Sequence, residues 1–314
     1  MCQPFQSAKY MATALDPIHI GTGGYNIGRV DNSVIRDFDD VPKIPGTSIA
    51  GAVRSYAAMQ FPEKRKCAGK DDSGAGGRQC GEQDCPICVT FGFTRDTESR
   101  VSMVTFSDAR ILFFPVSTMI GPVWVTSPSR LKEFTGSIQC DHSDGEKIKV
   151  VSDLALPNGK LNLGWVLLQQ DTSSNLDLSD GKFSILPDPV KKNAVCVTDR
   201  LFPLIVNSNL EVRTSVSINP FTGAALEGAL FTYEGIPRTT IFWFEAVYQD
   251  YKNFNGNHTG YIGKVREKFS SISDDNAIEA AKSVTEAGAD YCKILGLGGM
   301  STRGFGRLEI EEVQ

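Results

Sequence analysis

Cys67, Cys80, Cys85 and Cys88 are spaced C-x12-C-x4-C-x2-C. A tetrahedral zinc ion takes four thiolates from two close groups joined by loop-rich sequence. From Glu63 to Val89 the chain is rich in Cys, Gly, Asp and Lys and almost devoid of apolar residues, so it cannot pack a core of its own. The spacing predicts zinc as the staple, in a structural role, because four thiolates leave no coordination position open for water. The competing reading is four free thiols in a mobile loop. The remaining cysteines, at 2, 140, 196 and 292, are scattered. In a reducing compartment, clustering of this kind favours metal over disulfides.

Two further constellations suit phosphate chemistry. Gly296, Gly298, Gly299, Gly304 and Gly306 surround Arg303 and Arg307, offering exposed backbone N–H groups and two guanidiniums. A tight connection between strands explains the same glycines equally well. The helix expected at Thr47 starts beside Gly46, and helix N-termini attract phosphate through unpaired amides. Arg54 is placed to assist, although an arginine on a helix is usually a solvated face residue. The loop carrying His19, Asp31, Arg36 and Asp37 is the richest in ionisable groups near glycine. RNA cleavage by a 2′-hydroxyl needs a group that takes its proton or holds a metal, and positive charge for the developing phosphorane. Asp31 fits the first need; the plainer alternative is that Asp31 and Asn32 form a turn.

The elements that must position these groups read as mixed α and β. A strand is expected over Ser7–Leu15 and a helix from Thr47 to Gln60, with Ile49, Ala52, Val53, Tyr56 and Ala57 on one face and Thr47 or Ser48 as its cap. Strands follow at Arg100–Phe106 and Ile111–Val116, then a helix begins near Ser127 and takes in Leu131 and Phe134. Residues 136–199 give no clear pattern. Leu210, Val212, Thr214, Val216 and Ile218 alternate into the turn NPFTG, which predicts a long hairpin followed by a core strand. Asp275–Leu295 reads as a helix, and the Gly-rich turn feeds a final strand. The chain has 314 residues, is 41% hydrophobic and 22% charged, and carries a net charge of −5, so any nucleic-acid site must be local rather than a global basic field. No stretch approaches the ~18 apolar residues of a membrane helix. The start MCQPFQSAKY has neither a basic nor an apolar leader region, so a cytoplasmic protein is expected.

Taken in order, GTGGYNIGRVDNSVIRD, IPGTSIAGAVRSY, CPICVTFG, SDARILFFPVSTMIGPVWVTSP, LEVRTSVSINPFTGAALEGALFTYEGIP and GGMSTRGFGRL resemble the RAMP proteins of CRISPR systems. More closely, they resemble the backbone-forming ribonuclease subunit of type III-B (Cmr) effector complexes. The resemblance covers nearly the whole chain. It implies an α+β fold: a single domain over residues 1–314 with a modified RRM-like, ferredoxin-type core, carrying the Cys-rich zinc loop at 62–92 and a hairpin thumb at 209–232 as insertions. It implies copies of this chain in a filament along a crRNA guide, beside other effector subunits, cutting complementary target RNA at regular intervals with Mg2+ or a similar divalent ion.

By the same resemblance, Asp31 in VDNSVIRD sits where the family cuts, and Glu227 and Tyr233 lie near the cut site. His19, Arg36, Ser48, Arg54, Gly298, Gly299, Arg303 and Gly304 match RNA-contacting positions. Many relatives read PGSSLKGALR where this chain reads PGTSIAGAVR, so Ala50 replaces a lysine. The loss of a phosphate contact leaves Arg54, Lys43 or a partner subunit to compensate. The alternative function is a structural guide-binding subunit with no catalytic role. Processing of repeat RNA has less support, because His19, His142 and His258 offer no evident catalytic pair.

Overall fold

The computed structural model describes residues 5–313 apart from 24–29, 70–78, 95–97, 138–139, 143–144, 251–257, 271 and 273–275. Strand β1 (Phe5–Ala14) sends Ala8, Tyr10, Ala12 and Ala14 into one core and Met11 into another. That alternation is what a strand buried on both faces requires. A short β2 (Lys43–Ile44) leads into α1 (Gly46–Ala57), which buries Ile49, Val53 and Ala57 and tightens into a 3-10 turn at Ala58–Gln60. Neither Thr47 nor Ser48 caps it. The Gly46 N–H is satisfied instead by Asp108 Oδ1 at 2.8 Å, a carboxylate 62 positions along the chain.

A 3-10 stretch at Pro62–Ala68 and α2 (Pro86–Phe91) carry three of the four clustered cysteines or flank them. Next come β3 (Phe93–Thr94), β4 (Ser99–Arg100), β5 (Val104–Phe106), β6 (Ala109–Thr118) and β7 (Gly121–Thr126). Helix α3 (Pro128–Thr135) opens on proline and ends at Gly136 in a left-handed conformation, the arrangement that its sequence dictates. The unpatterned region supplies β8 (Lys147–Val150), β9 (Lys160–Leu163), β10 (Val166–Gln170), α4 (Asp188–Lys192) and β11 (Ala194–Cys196). After α5 (Leu201–Ser208), β12 (Glu211–Ile218) and β13 (Ala225–Gly235) form the expected hairpin, and β14 (Ile241–Gln249) is the core strand. The chain closes with α6 (Thr259–Lys268), α7 (Ala277–Ala289), α8 (Cys292–Leu295) and β15 (Leu308–Glu312). The single helix expected over 275–295 is thus two, broken after Ala289.

The main sheet runs β15-β1-β14-β6-β7-β11-β8-β10-β9, with β2 added to β6 and β5 to β14. Pairs β7–β11 and β8–β10 are parallel and the others antiparallel, which makes a large mixed sheet. One face packs on α1, α2, α6 and α7 through residues such as Ile49, Val53, Val89, Val265 and Val284. The other buries Leu112, Phe113, Phe134, Phe183 and Trp243. Helices α1 and α7 approach so closely at Gly288 that a Cβ there would lie 2.3 Å from the Val53 carbonyl oxygen. The β12–β13 hairpin stands outside the main sheet as its own two-stranded ribbon. Among the described residues no helix is long and apolar enough to cross a membrane.

Candidate functional site

The loop after β1 is stitched to the base of the hairpin. Asn32 N donates to Thr232 O at 3.0 Å, Glu234 N to Asn32 O at 3.0 Å, and Ile18 and Ile236 exchange both backbone bonds at 2.8 Å. Asp31 is thereby carried onto β13. Its Oδ2 accepts from the Thr232 backbone N–H at 2.7 Å and from the Thr232 hydroxyl at 2.9 Å. These donors hold the Asp31 carboxyl below its ordinary pKa, so it stays ionised at neutral pH. Among the described residues no hydrogen bond falls on Oδ1 and no cation pairs with Asp31.

Arg36 and His19 are spent on building this loop. The Arg36 guanidinium donates to Glu234 Oε2 at 2.9 Å, Asn207 Oδ1 at 3.0 Å and Val34 O at 2.9 Å. Glu234 Oε2 also accepts from Val34 N at 3.2 Å. His19 is only 5% exposed, and its Nδ1 donates to the Glu234 carbonyl at 2.7 Å. Both positions, expected at the guide surface, find a partner on β13 some 200 residues away in sequence and position backbone through it. Replacing Arg36 with Ala strands the Glu234 carboxylate, whose side chain is 7% exposed. We expect a loss of about 3 kcal/mol in chemical denaturation; a loss below about 1 kcal/mol would contradict this role.

Strand alternation separates Thr232 from Tyr233. Tyr233 is 4% exposed and packs among His19, Phe231 and Phe305, with ring centroids 6.0, 5.9 and 5.5 Å away. Tyr233, expected near the cut site, packs with its ring on the face of β13 opposite Thr232. Glu227 lies in β13 nearer the hairpin tip, and its side chain falls outside the described residues. On the Tyr233 face, arginines and aromatic rings interleave. The Arg213 guanidinium sits 4.5 Å from the Phe305 ring and that of Arg303 5.1 Å from Phe231. Arg303 stays exposed, with Nη1 3.4 Å from Ser215 Oγ.

The glycine-rich loop lies over His19. Gly299 N donates to His19 O at 2.9 Å. Gly298 has φ +83°, and a Cβ there would lie 2.6 Å from the His19 carbonyl oxygen, so glycine is required on both counts. Gly298, Leu297, Gly296 and Ser301 face Ser48, Ser55 and Tyr56 of α1 across a cleft of about 360 Å³. Gly304 follows Arg303 at the mouth of the same loop. Ala50 does not share that cleft; it lines another of about 450 Å³ with Arg54, Phe91 and Phe106. The two candidates for replacing the missing lysine are both engaged. Lys43 Nζ binds Asp108 at 2.7 Å and Asp37 at 3.3 Å. Arg54 donates to Cys67 O at 2.8 Å and Phe91 O at 3.2 Å.

The sulfurs of Cys67, Cys80, Cys85 and Cys88 lie within 4.8 Å of one another, and all four residues are buried. Backbone N–H groups already point at two of them: Cys80 N at Cys67 Sγ, 3.4 Å, and Cys88 N at Cys85 Sγ, 3.5 Å. Such donors stabilise thiolate charge. A third feature fits a bound cation with four thiolates. The Nη2 atom of Arg54 is buried without a partner, beside sulfurs whose negative charge opposes the lowering of its pKa by burial. The donor set and the shell around it suit a metal ion.

Thr232, Glu234 and Phe305 escaped sequence reading. Thr232 and Glu234 flank Tyr233, and the alternation of FTYE was the one signal that separated the two faces. Phe305 carried none, being a lone aromatic among glycines.

A curated relative, the CRISPR system Cmr endoribonuclease Cmr4 of Pyrococcus furiosus, is 24% identical over 247 residues, 73% of this chain and 77% of its own length. Among solved structures, a type III-B Cmr-beta cryo-EM structure in the apo state aligns over 98% of this chain and 97% of the matched one, with TM-score 0.64 and 18% identity. A crystal structure of oligomeric Cmr4 from Pyrococcus furiosus aligns over 98% and 99%, with TM-score 0.59 and 19% identity. These share the fold described above. The RAMP superfamily model matches residues 11–309, and this chain belongs to that superfamily.

Proposed function

We propose that this chain is a crRNA-binding backbone subunit of a type III-B CRISPR effector and the endoribonuclease that cuts complementary target RNA at regular intervals. The observation that carries the proposal is the ionised Asp31 carboxylate, held at the base of a projecting hairpin and joined through His19 to the glycine-rich loop. The Cmr endoribonuclease among its relatives and a related Cmr-beta structure bound to cognate target RNA support the same substrate class. In this reading the main sheet with α1 and α7 on one face is the modified RRM-like core. Residues 209–232 are the thumb and 62–92 the zinc insertion. Guide phosphates lie along the α1–glycine loop cleft, met there by Ser48 and Gly298, and pass on to Gly299, Arg303 and Gly304 of the same loop. His19, Arg36 and Tyr233 hold that frame. The partners are further copies of the chain in a filament and other effector subunits in the cytoplasm.

Cleavage is attack of a target 2′-hydroxyl on the adjacent phosphorus. The 2′-oxygen–phosphorus bond forms as the 2′-hydroxyl proton passes to water, the bond to the 5′-oxygen breaks as that oxygen takes a proton from water, and a 2′,3′-cyclic phosphate and a 5′-hydroxyl are left. A carboxylate held below its ordinary pKa is a weak base, so Asp31 would act chiefly by holding a divalent ion. Mg2+ or a similar ion would supply positive charge for the phosphorane when bound there. The competing structural-subunit reading is favoured by the same Asp31–Thr232 bonds, which also cap a turn. Reconstituting the guide-loaded complex with wild-type or Asp31→Ala chain and a complementary target distinguishes the two: regularly spaced cuts that the substitution removes support the proposal, and cuts that survive it contradict the proposal.

In the zinc loop, Cys67, Cys80, Cys85 and Cys88 hold the ion, which supplies a structural cross-link and no chemistry. Arg54 offsets the charge of the four thiolates. Its replacement by Met should therefore weaken zinc binding about 10- to 100-fold in chelator competition. Wild-type affinity in that variant would contradict this assignment of Arg54.

A further inference from the structure

The Asp31 carboxylate and Thr232 make a closed set of three hydrogen bonds. The Asp31 backbone N–H donates to Thr232 Oγ1 at 3.1 Å, the Thr232 hydroxyl donates to Asp31 Oδ2 at 2.9 Å, and the Thr232 N–H donates to the same Oδ2 at 2.7 Å. All three tie one residue of the loop to one residue of the hairpin. A turn cap needs only one of the two donors to Oδ2; a second donor on the same oxygen fixes the plane of the carboxylate and leaves Oδ1 pointing away from both. The neighbouring backbone is rigid enough to make that orientation meaningful. Asn32 bonds in both directions to β13, at 3.0 Å each, and Thr232 pairs with Thr214 across the hairpin.

We propose that Thr232 is a positioning residue for Asp31, its hydroxyl setting the direction in which the free carboxylate oxygen meets the target RNA. The inference rests on Asp31 being the residue at the cut, as proposed above. It assigns the thumb a part in catalysis: β13 carries the hydroxyl that aims the carboxylate, so the base of the hairpin is half of the active site. With valine at 232 the shape is nearly kept and one N–H still reaches Oδ2, but the second donor to Oδ2 and the acceptor of the Asp31 N–H are both lost, so the carboxylate is freer to rotate. Loss of orientation at a reacting centre costs up to about a hundredfold in rate.

The test is single-turnover cleavage of saturating complementary target by the assembled, guide-loaded complex, with Thr232→Val, Thr232→Ser and Asp31→Ala compared with wild type after equal assembly and target binding are verified. Thr232→Val is expected to cut about ten- to a hundredfold more slowly at unchanged positions. Thr232→Ser, which keeps the hydroxyl and loses the methyl, is expected to recover to within about threefold of wild type. If Asp31→Ala is inactive while Thr232→Val cuts at the wild-type rate, the positioning role is wrong and Asp31 stands. If serine is as slow as valine, the loss comes from packing and the positioning role is again wrong. If Asp31→Ala cuts normally, the assignment of Asp31 itself fails.

Discussion

Stripping the metal from Cys67, Cys80, Cys85 and Cys88 should unfold residues 62–92 while the main sheet survives. Zinc bound by cysteine and histidine ligands in small peptides contributes about 10–16 kcal/mol to folding, and apart from Ile87 and Val89 of α2, which reach the main core, this segment has little else to fold on. What it does have depends on the cluster. Arg54 reaches its two carbonyls, of Cys67 and Phe91, only while the segment is folded back on α1, and the Thr90 hydroxyl meets Tyr261 at 2.9 Å only while α2 is seated. Without metal, burial pushes the Cys67 thiol up to about 11, so at neutral pH it is protonated and unable to stand in for a ligated thiolate. Metal binding must displace those protons, so affinity rises with pH and falls on acidification. Purified protein is expected to hold about one zinc per chain. Chelation should expose four thiols to titration and raise amide exchange across 62–92, with protection kept in β1 and β14. Protein free of zinc with all four thiols still protected would sink this expectation.

Local pattern was readable wherever one element supplies its own signal. The apolar spacing of Ile49, Val53 and Ala57 located α1, Leu131 and Phe134 after Ser127 located α3, and alternation through Val212–Ile218 gave the hairpin. The cysteine spacing located a cluster that the folded chain does bring together. What escaped was set by partners distant in sequence. The cap of α1 is Asp108, and no inspection of Thr47 or Ser48 reveals it. Arg54 resembled a solvated helical arginine because its acceptors lie 13 and 37 positions away. Strands β8 to β11 are three to five residues long and pair out of order, too short for a periodicity to register. At the site, family resemblance placed Asp31 and Tyr233 together, whereas the two-residue repeat of β13 turns Tyr233 away and gives Asp31 to Thr232.

Replacing Asp31 should abolish target cleavage without disturbing the complex. The residue is partly exposed and among the described residues its side chain bonds to Thr232, so its loss leaves the Asn32–β13 ladder and the Arg36–Glu234 pair in place. Asn is the sharper substitution: it keeps the size and an acceptor for the Thr232 donors while removing the charge. If the charge acts in the transition state, the chemical step should slow by about 10²- to 10⁴-fold, with guide occupancy and target binding unchanged. The most direct measurement is therefore single-turnover cutting of a complementary RNA by guide-loaded complex, wild type against Asp31→Asn, in the presence of magnesium. Loss of the regularly spaced cuts from an otherwise intact complex is the predicted result. Undiminished cutting would contradict the account and leave this chain as the scaffold on which another subunit acts.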